Sequence, residues 1–235
     1  MLENPMGANP VWLTESLSEV LDLTPGMRVL DLGCGRAISS IFLAQEFGVQ
    51  VWACDLWIPA SENWERIREA GVDGTVFPIH AEAHSLPFAH GFFDAAVCID
   101  AYHYFGTDDL YLSEHLLQLV RPGGSIGMVV PGLASEFEGA APDHLASQWK
   151  DNPEFWSFHS PAWWRRHWER TGPVEVEVAD LITDGWRHWL NWDEATLELD
   201  CVPEEIASFV PGWIETISAD EGRNLGFARL LARVE

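Results

Sequence analysis

The sequence predicts an α/β fold built on a doubly wound, parallel β-sheet. Two patterns support this prediction: strand-like runs alternate with helical segments over residues 10–131, and most of these runs are almost continuously apolar. Such alternation is typical of parallel strands joined by right-handed helical crossovers. Continuous apolar runs are expected where helices cover both faces of the sheet.

Turn and capping residues divide this part of the chain into elements. Strands are predicted at residues 27–32, 49–55, 75–80, 93–100 and 125–130. Helices are predicted at residues 10–23, 38–47, 61–71 and 107–120. Asn9 is expected to cap the first helix and Gly48 to end the second, while Ser61 and Thr107 are expected to cap the third and fourth. A turn at residues 121–124 is expected to separate the fourth helix from the fifth strand.

After Pro131 the regular alternation ends. A helix at residues 160–172 and strands at 173–181 and 224–234 are predicted, with two helical pieces in 184–222 that Pro203 and the Pro-Gly pair at 211–212 interrupt. We therefore expect one domain over residues 1–235. Its core comprises residues 10–131, 160–182 and 223–235, and residues 132–160 and 184–222 are insertions that cover the strand ends.

The composition excludes several classes of protein. Of the 235 residues, 47% are hydrophobic, which suffices for a substantial core. The net charge of −24 opposes binding to nucleic acid, whose backbone is also negative. No apolar run is long enough to span a membrane, and the N-terminal residues do not resemble a secretory signal.

The four cysteines form no Cys-x-x-Cys pair: Cys34, Cys54, Cys98 and Cys201. Three of them fall in or beside predicted buried strands, where cysteine packs as a small apolar side chain. Reduced thiols and a cytoplasmic location are therefore expected. No metal site is expected, because no cluster of histidine and cysteine has the spacing of zinc ligands.

The loop after the first strand is the predicted binding site for a cofactor. In an open parallel sheet, ligands bind at the carboxyl ends of the strands, where the strand order reverses. Asp31 ends the first strand there, and Gly33 and Gly35 allow a close approach of the backbone. A dinucleotide would require a third glycine where Ile38 stands, and Asp31 would repel its pyrophosphate. A ligand with a cationic amino group and a sulfonium, S-adenosylmethionine, would instead be attracted.

The same stretch, VLDLGCGRA, resembles the first motif of class I S-adenosylmethionine-dependent methyltransferases. Three further stretches resemble that family in order and spacing: WACDLW, HAEAHSLPFAHGFFDAAVCID and RPGGSIGMVV. The resemblance covers residues 10–131. It implies a Rossmann-like sheet with strand order 3-2-1-4-5-7-6 and an antiparallel last strand. One departure is Ala37, which stands where the family loop often has a third glycine.

The resemblance also implies a set of residues that bind S-adenosylmethionine. Asp55 would bind the ribose hydroxyls, and Glu82 the adenine amino group beside the backbone of Ala83. The backbone of Asp100 would contact the methionine part of the cofactor. The other implied positions lie in the same loops, and they are Asp31, Gly33, Cys34, Gly35 and Leu56.

Candidates for the chemistry follow the fourth strand. An imidazole titrates near neutrality, so His103 is the first candidate for a base or a hydrogen-bonding group that assists the acceptor. Tyr102 is the second candidate in the same stretch, and His159 is an alternative base that would reach the pocket from the first insertion.

The predicted function is transfer of a methyl group from S-adenosylmethionine to a small molecule, which leaves S-adenosylhomocysteine. Nine of the 13 tryptophans lie from Trp149 onward, and some are expected to line a substrate cavity. Aromatic walls among carboxylates suit a cationic amine or a flat aromatic acceptor, with nitrogen or oxygen favoured as the acceptor atom. Two alternatives stay open: an NAD(P)-dependent oxidoreductase, and a non-catalytic module that binds S-adenosylmethionine and regulates a partner.

Overall fold

The computed structural model describes residues 7–198 and 204–235, with the backbone alone at 204–209. Predictions that concern Cys201 and Pro203 lie outside these residues. Seven strands form one sheet: β1 (Arg28–Leu32), β2 (Gln50–Asp55), β3 (Val76–His80), β4 (Phe93–Ile99), β5 (Val120–Leu133), β6 (Val174–Leu181) and β7 (Leu225–Val234). Their order is β3-β2-β1-β4-β5-β7-β6, as the resemblance implies.

Strands β1 to β5 are parallel, whereas β7 runs antiparallel between β5 and β6. The order of strands reverses between the neighbours β1 and β4, which pair in the register Val29 to Ala95. The crevice at the carboxyl ends of these two strands is therefore the expected place for a ligand.

The helices are α1 (Pro10–Ser18), α2 (Ile38–Phe47), α3 (Ala60–Glu69), α4 (Ala146–Asp151), α5 (Pro161–Thr171), α6 (Gly185–Leu197) and α7 (Glu204–Asp220). Several of these helices begin or end where the sequence predicts. Asn9 accepts hydrogen bonds from the backbone at the start of α1, and Ser160 does so for α5. Gly48 adopts a left-handed conformation at the end of α2, which favours glycine.

Side chains of both faces of the sheet are buried in two apolar clusters. Alternate residues of β1 illustrate this arrangement: Val29 belongs to one cluster and Leu30 to the other, and both are fully buried. Helices α1 and α2 contribute Leu17 and Leu43 to the first cluster, and α5 contributes Trp164 to the second. The doubly wound architecture is thus confirmed. Among residues 7–198 and 204–235, no helix combines the length and the apolar character needed to cross a bilayer.

Three predicted helix boundaries were wrong. Helix α1 ends at Ser18 rather than residue 23, and α3 begins at Ala60 after Pro59, so Ser61 lies inside the helix instead of capping it. The segment predicted as a helix over residues 107–120 becomes helical only near Tyr111. It then forms a π-helical turn at Leu112–Leu116 and a 3₁₀ turn at Leu117–Leu119. Packing of these apolar side chains on the sheet overrides their local preference for an α-helix.

Two predicted interruptions were also wrong. Residues 121–124 lie inside the long strand β5, where the pairing with β4 shifts register between Phe93 and Ala95. Helix α7 continues through Pro211, although proline removes one backbone donor. Trp213 stacks on Phe155 with ring centroids 4.9 Å apart, and Ile217 is fully buried. This packing on the core holds the helix together across the proline.

The buried carboxylate of Asp220 fixes the end of α7 to the start of β7. It accepts hydrogen bonds from the Asn224 and Leu225 backbone N–H groups at 2.9 and 2.8 Å and from the Asn224 side chain at 2.7 Å. His144 Nε2 lies 2.8 Å from its Oδ1 atom. Asp220, at the end of the second insertion, therefore connects that insertion to β7 and also contacts His144 of the first insertion.

We expect Asp220→Ala to lower the free energy of unfolding by about 3 kcal/mol, because it leaves several buried donors without a partner. Denaturant unfolding measures this change. Asp143→Ala removes an exposed carboxylate of the same region and is expected to change the stability by less than about 0.5 kcal/mol. Equal stability of the two variants would contradict the role of Asp220.

Candidate active site

A cavity of about 660 Å³ opens at the carboxyl ends of the parallel strands. Its floor comes from the loops after β1, β2, β3 and β4, at residues 32–36, 54–57, 81–83 and 99–101. Its cover comes from the N-terminal residues 7, 8 and 10 and from both predicted insertions, through Glu154, Trp189, Asp193, Thr196, Val210 and Trp213. The cavity thus lies at the reversal of strand order.

The glycine loop after β1 packs between its two neighbouring strands. The backbone N–H groups of Gly33 and Cys34 both donate to the carbonyl oxygen of Cys54, at 2.8 and 3.0 Å. Gly33 has φ of 73°, and a Cβ atom there would approach the Ala101 Cβ to 2.4 Å. A side chain at Gly33 would therefore push the loop away from β4 and into the cavity. Ala37 also has a left-handed backbone, with φ of 59°, which explains why glycine suits that position in related loops.

Asp31 lies beneath this loop and is fully buried rather than exposed to the cavity. Its Oδ2 atom accepts hydrogen bonds from the hydroxyl groups of Ser39 and Ser40, both at 2.6 Å, and Ser39 lines the cavity. Its Oδ1 atom has no donor among the described residues. Burial raises the pKa of Asp31 to about 6, against the effect of the two serines. An unpaired, buried carboxylate oxygen favours a cationic group nearby.

Asp55 ends β2 at the cavity wall. Its Oδ2 atom accepts from the backbone N–H of Gly35 at 2.8 Å, and its Oδ1 atom accepts from those of Trp57 and Ile58 at 2.7 and 2.8 Å. The carboxylate therefore joins the glycine loop to the loop after β2. Two carboxylate oxygens offer about four acceptor positions, so the lone pair left over can face a ligand hydroxyl.

The predicted adenine-binding residues follow β3. Glu82 and Ala83 line the cavity, as do Leu56 and Cys34 of the neighbouring loops. The Glu82 carboxylate lies 2.6 Å from His84 Nδ1 and accepts from the His84 backbone N–H at 2.9 Å. Burial raises the pKa of Glu82, but these hydrogen bonds together outweigh it and hold the pKa below its usual value.

Asp100 lines the opposite part of the cavity, after β4. It adopts φ of 56°, which is unusual for a residue with a side chain. Its Oδ2 atom accepts the backbone N–H of Ala8 at 3.0 Å, so this carboxylate attaches the N-terminal segment to the cavity. Its partly buried position raises the pKa of Asp100 to about 6, while His103 and the Ala8 hydrogen bond lower it.

The candidates for catalysis are placed differently from the sequence prediction. Tyr102 is fully buried, and its ring packs at 5.5 to 5.7 Å on those of Phe105, Tyr111, Trp164 and Trp168. Because Tyr102 does not line the cavity, the structure gives no support to a catalytic role. His159 also lies away from the cavity, where it stacks on Trp163 at 3.6 Å and pairs with Glu136.

His103 reaches the cavity only through a neighbour. Its side chain is fully buried, and Nε2 lies 3.4 Å from Oε1 of Glu154, which lines the cavity. The Tyr104 hydroxyl donates to the same oxygen at 2.9 Å. Burial raises the pKa of Glu154, but the hydrogen bonds from His103 and Tyr104 outweigh it and hold this pKa below its usual value. Oε2 of Glu154 has no donor among the described residues, so it is open to a ligand.

Sequence reasoning missed three polar residues that face the cavity, Glu154, Asp193 and Thr196, and it expected some late tryptophans there without singling out Trp189 and Trp213. All belong to the two insertions that the sequence identified as cover. Within α6, Trp189, Asp193 and Thr196 are spaced by four and three residues, and this spacing places them on one helix face. That periodicity was the available signal, although the sequence did not show which face would meet the cavity.

Comparisons with known proteins agree with this geometry. Residues 29–124 match the family model described as a methyltransferase domain. Demethylmenaquinone methyltransferase of Corynebacterium glutamicum (strain R) is 31% identical over 198 residues, which are 79% of each chain. Methyltransferase GfsG of Streptomyces halstedii is 31% identical over 121 residues, or 49% of this chain and 42% of that one. The chain spans less than half the length of GfsG and of several other matched relatives.

A solved structure shows the same fold. The crystal structure of a putative sarcosine dimethylglycine methyltransferase from Galdieria sulphuraria has a TM-score of 0.75 over 95% of this chain and 84% of that one, at 20% identity. Together with the strand order and the glycine loop, these similarities place the chain in a family. It belongs to the class I S-adenosylmethionine-dependent methyltransferases.

The cavity residues fit S-adenosylmethionine on grounds of their own. The Asp100 carboxylate in the cavity wall and the buried Asp31 carboxylate beneath the glycine loop give one end of the cavity negative charge, where the methionine amino group would lie. Asp55 and Glu82 offer acceptors at the other end for the ribose hydroxyls and the adenine amino group. The absent side chain at Gly33 leaves room for the ligand between them.

We expect Asp55→Ala to weaken binding of S-adenosylhomocysteine by about 1–3 kcal/mol, because two loops lose their common partner and the ribose would lose the buried acceptor that the resemblance assigns to it. Isothermal titration calorimetry measures the affinity. Asp73→Ala, which removes an exposed acid, is the control and should bind as the parent protein does. An unchanged affinity in Asp55→Ala would count against the assignment.

The affinity for S-adenosylhomocysteine should fall about three- to tenfold between pH 7.5 and pH 5. Asp31 and Asp100, whose pKa values are raised to about 6, take up protons in this interval and lose their attraction for the ligand's ammonium group. Adenosine lacks that group, so the ratio of the two affinities isolates the effect. A ratio that does not change with pH would refute the assignment of these carboxylates.

Proposed function

We propose that the protein transfers a methyl group from S-adenosylmethionine to a small-molecule acceptor enclosed beneath α6 and α7. The observation that carries this proposal is the single cavity that joins the glycine loop, Asp55 and Glu82 to an aromatic and acidic cover. S-adenosylmethionine and the acceptor would share this cavity, so the acceptor would lie next to the methyl group. Such proximity, with exclusion of water, supplies much of the rate acceleration in a displacement reaction.

The cofactor would be held by the loops that form the floor of the cavity. Gly33, Cys34 and Gly35 would contact the methionine part, with Asp31 and Asp100 near its amino group. Asp55 would bind the ribose, and Glu82, Ala83 and Leu56 would enclose the adenine. When bound, S-adenosylmethionine supplies a methyl group already activated by its sulfonium, so the protein mainly orients the acceptor.

Glu154, His103 and Tyr104 would handle the acceptor's proton. The open Oε2 atom of Glu154 would accept a hydrogen bond from the acceptor, while His103 and Tyr104 hold Oε1 in position. His103 lies behind Glu154, with Nε2 3.4 Å from Oε1, so its imidazole can pass on the proton that Glu154 accepts. In this assignment His103 is a positioning and proton-holding residue, and Glu154 is the group that touches the acceptor.

We also propose a cytoplasmic location and no nucleic-acid partner. The free, buried thiols of Cys34, Cys54 and Cys98 suit a reducing compartment. The net charge of −24 opposes approach to a phosphate backbone.

Mass spectrometry of the purified protein under native conditions is the first test of the function. Bound S-adenosylhomocysteine or S-adenosylmethionine is expected. Incubation with methyl-labelled S-adenosylmethionine and a panel of small amines and phenols should then transfer the label. Saturable binding of NAD(H) without binding of S-adenosylmethionine would refute the proposal, and tight cofactor binding without transfer to any acceptor would favour a non-catalytic module.

Once an acceptor is identified, we expect Glu154→Gln to lower kcat about 100-fold, because a general acid–base group contributes to the reaction step. The affinity for S-adenosylhomocysteine should stay within about twofold of that of the parent protein. Steady-state kinetics and calorimetry measure the two quantities. Glu136→Gln disrupts the pair of Glu136 and His159, which lies outside the cavity, and is the matched control. Tyr102→Phe is expected to retain kcat within about threefold; a greater loss would restore Tyr102 as a candidate.

A further inference from the structure

The cover of the cavity has a charge that the cofactor site does not explain. Among the described lining residues, Arg36 is basic and five residues are acidic: Asp55, Glu82, Asp100, Glu154 and Asp193. Asp55 and Glu82 lie in the loops after β2 and β3, at the proposed ribose and adenine end. Glu154 and Asp193 instead belong to the cover and face the loop after β4 that carries Asp100.

Asp193 is the least compensated of these acids. It lies on α6 with only 6% of its surface exposed, and no donor among the described residues contacts its carboxylate. Burial, followed by the nearby Asp100, raises the pKa of Asp193 to about 7. A buried carboxylate without a partner is unfavourable in the free protein, and a cationic ligand would relieve this cost.

Other side chains around Asp193 point to the same kind of ligand. Thr196, one turn further along α6, lines the cavity, is 2% exposed and has a buried hydroxyl without a partner among the described residues. Trp189, one turn before Asp193, and Trp213 of α7 also line the cavity, with their ring centroids 5.0 Å apart. Aromatic faces beside carboxylates bind ammonium groups through cation–π attraction.

We propose that Asp193, Thr196, Trp189 and Trp213 form a subsite for a cationic nitrogen, and that the methyl acceptor is a small amine. This inference rests on the proposed function and names its substrate class. Asp193 attracts the amine in its ammonium form, the two tryptophans enclose its alkyl groups, and Thr196 binds a polar group of the same molecule. Before transfer the ammonium would pass one proton to the Glu154 carboxylate. The freed nitrogen lone pair would then bond to the methyl carbon as the bond from that carbon to sulfur breaks, which would release S-adenosylhomocysteine. A neutral flat acceptor would leave Asp193 and Thr196 buried without partners, which opposes its binding.

Choline and 3,3-dimethylbutan-1-ol test the subsite, because they share shape and hydroxyl but differ in positive charge. Each is titrated by calorimetry into the 235-residue protein saturated with S-adenosylhomocysteine. We expect choline to bind at least tenfold more tightly than the alcohol. Asp193→Asn should reduce this preference to less than about threefold, and Thr196→Val should weaken the binding of both probes.

Glu194→Gln is the matched control, because it removes an exposed charge from the neighbouring position of the same helix and should keep the full preference. Equal binding of the two probes to the parent protein would overturn the inference. A preference retained in Asp193→Asn would overturn it as well. A loss of S-adenosylhomocysteine affinity in Asp193→Asn with unchanged choline preference would assign Asp193 to the cofactor and also overturn it.

The cofactor titration separates this inference from the proposed function. If the parent protein binds S-adenosylhomocysteine but does not distinguish choline from the alcohol, the acceptor subsite alone is refuted. If the parent protein binds no S-adenosylhomocysteine, the methyl-transfer proposal itself fails. Retained S-adenosylhomocysteine binding by Asp193→Asn also shows that the variant is folded.

Discussion

The close packing of the glycine loop between β2 and β4 is the constraint on which the rest of the site depends. Gly33 and Cys34 both donate to the Cys54 carbonyl oxygen, and the Gly33 backbone lies against Ala101 with no space for a side chain. This contact fixes the loop at the reversal of strand order. The cavity lies there because the connection after β1 leads to β2 on one side of the sheet, whereas the connection after β4 leads to β5 on the other side.

Carboxylates connect this loop to its surroundings and also determine which ligands the cavity suits. Asp55 joins the loops after β1 and β2 through three backbone N–H groups, and Asp220 joins the cover helix α7 to β7. Asp31 and Asp193 are different. Asp31 has a buried oxygen that no described donor contacts, and Asp193 is only 6% exposed and lines the cavity. The acids that are satisfied hold the structure together, whereas the unsatisfied ones mark the places where a cation would be stabilised.

The fold was largely predictable because its signals are local and agree with one another. The alternation of elements, the glycine at 48 and the serine at 160 gave most boundaries correctly. The errors occurred where tertiary packing outweighs local preference, as in the π-helical turn at Leu112–Leu116 and the continuation of α7 through Pro211. Ser61 was misplaced because that helix begins at Ala60, directly after Pro59, so Ser61 lies within its first turn.

The sequence by itself determined the parallel sheet, the glycine loop and the acids at the carboxyl ends of β1, β2 and β3, because these features lie within short, continuous motifs. Only the tertiary structure decided which side chains complete the cavity. His103 and Tyr102 are adjacent to the fourth strand in sequence but are buried behind it, while Glu154 and Asp193, from distant insertions, face the ligand space. The physical reason is that long-range packing of the cover helices, rather than any local pattern, sets which of their faces meets the strand ends.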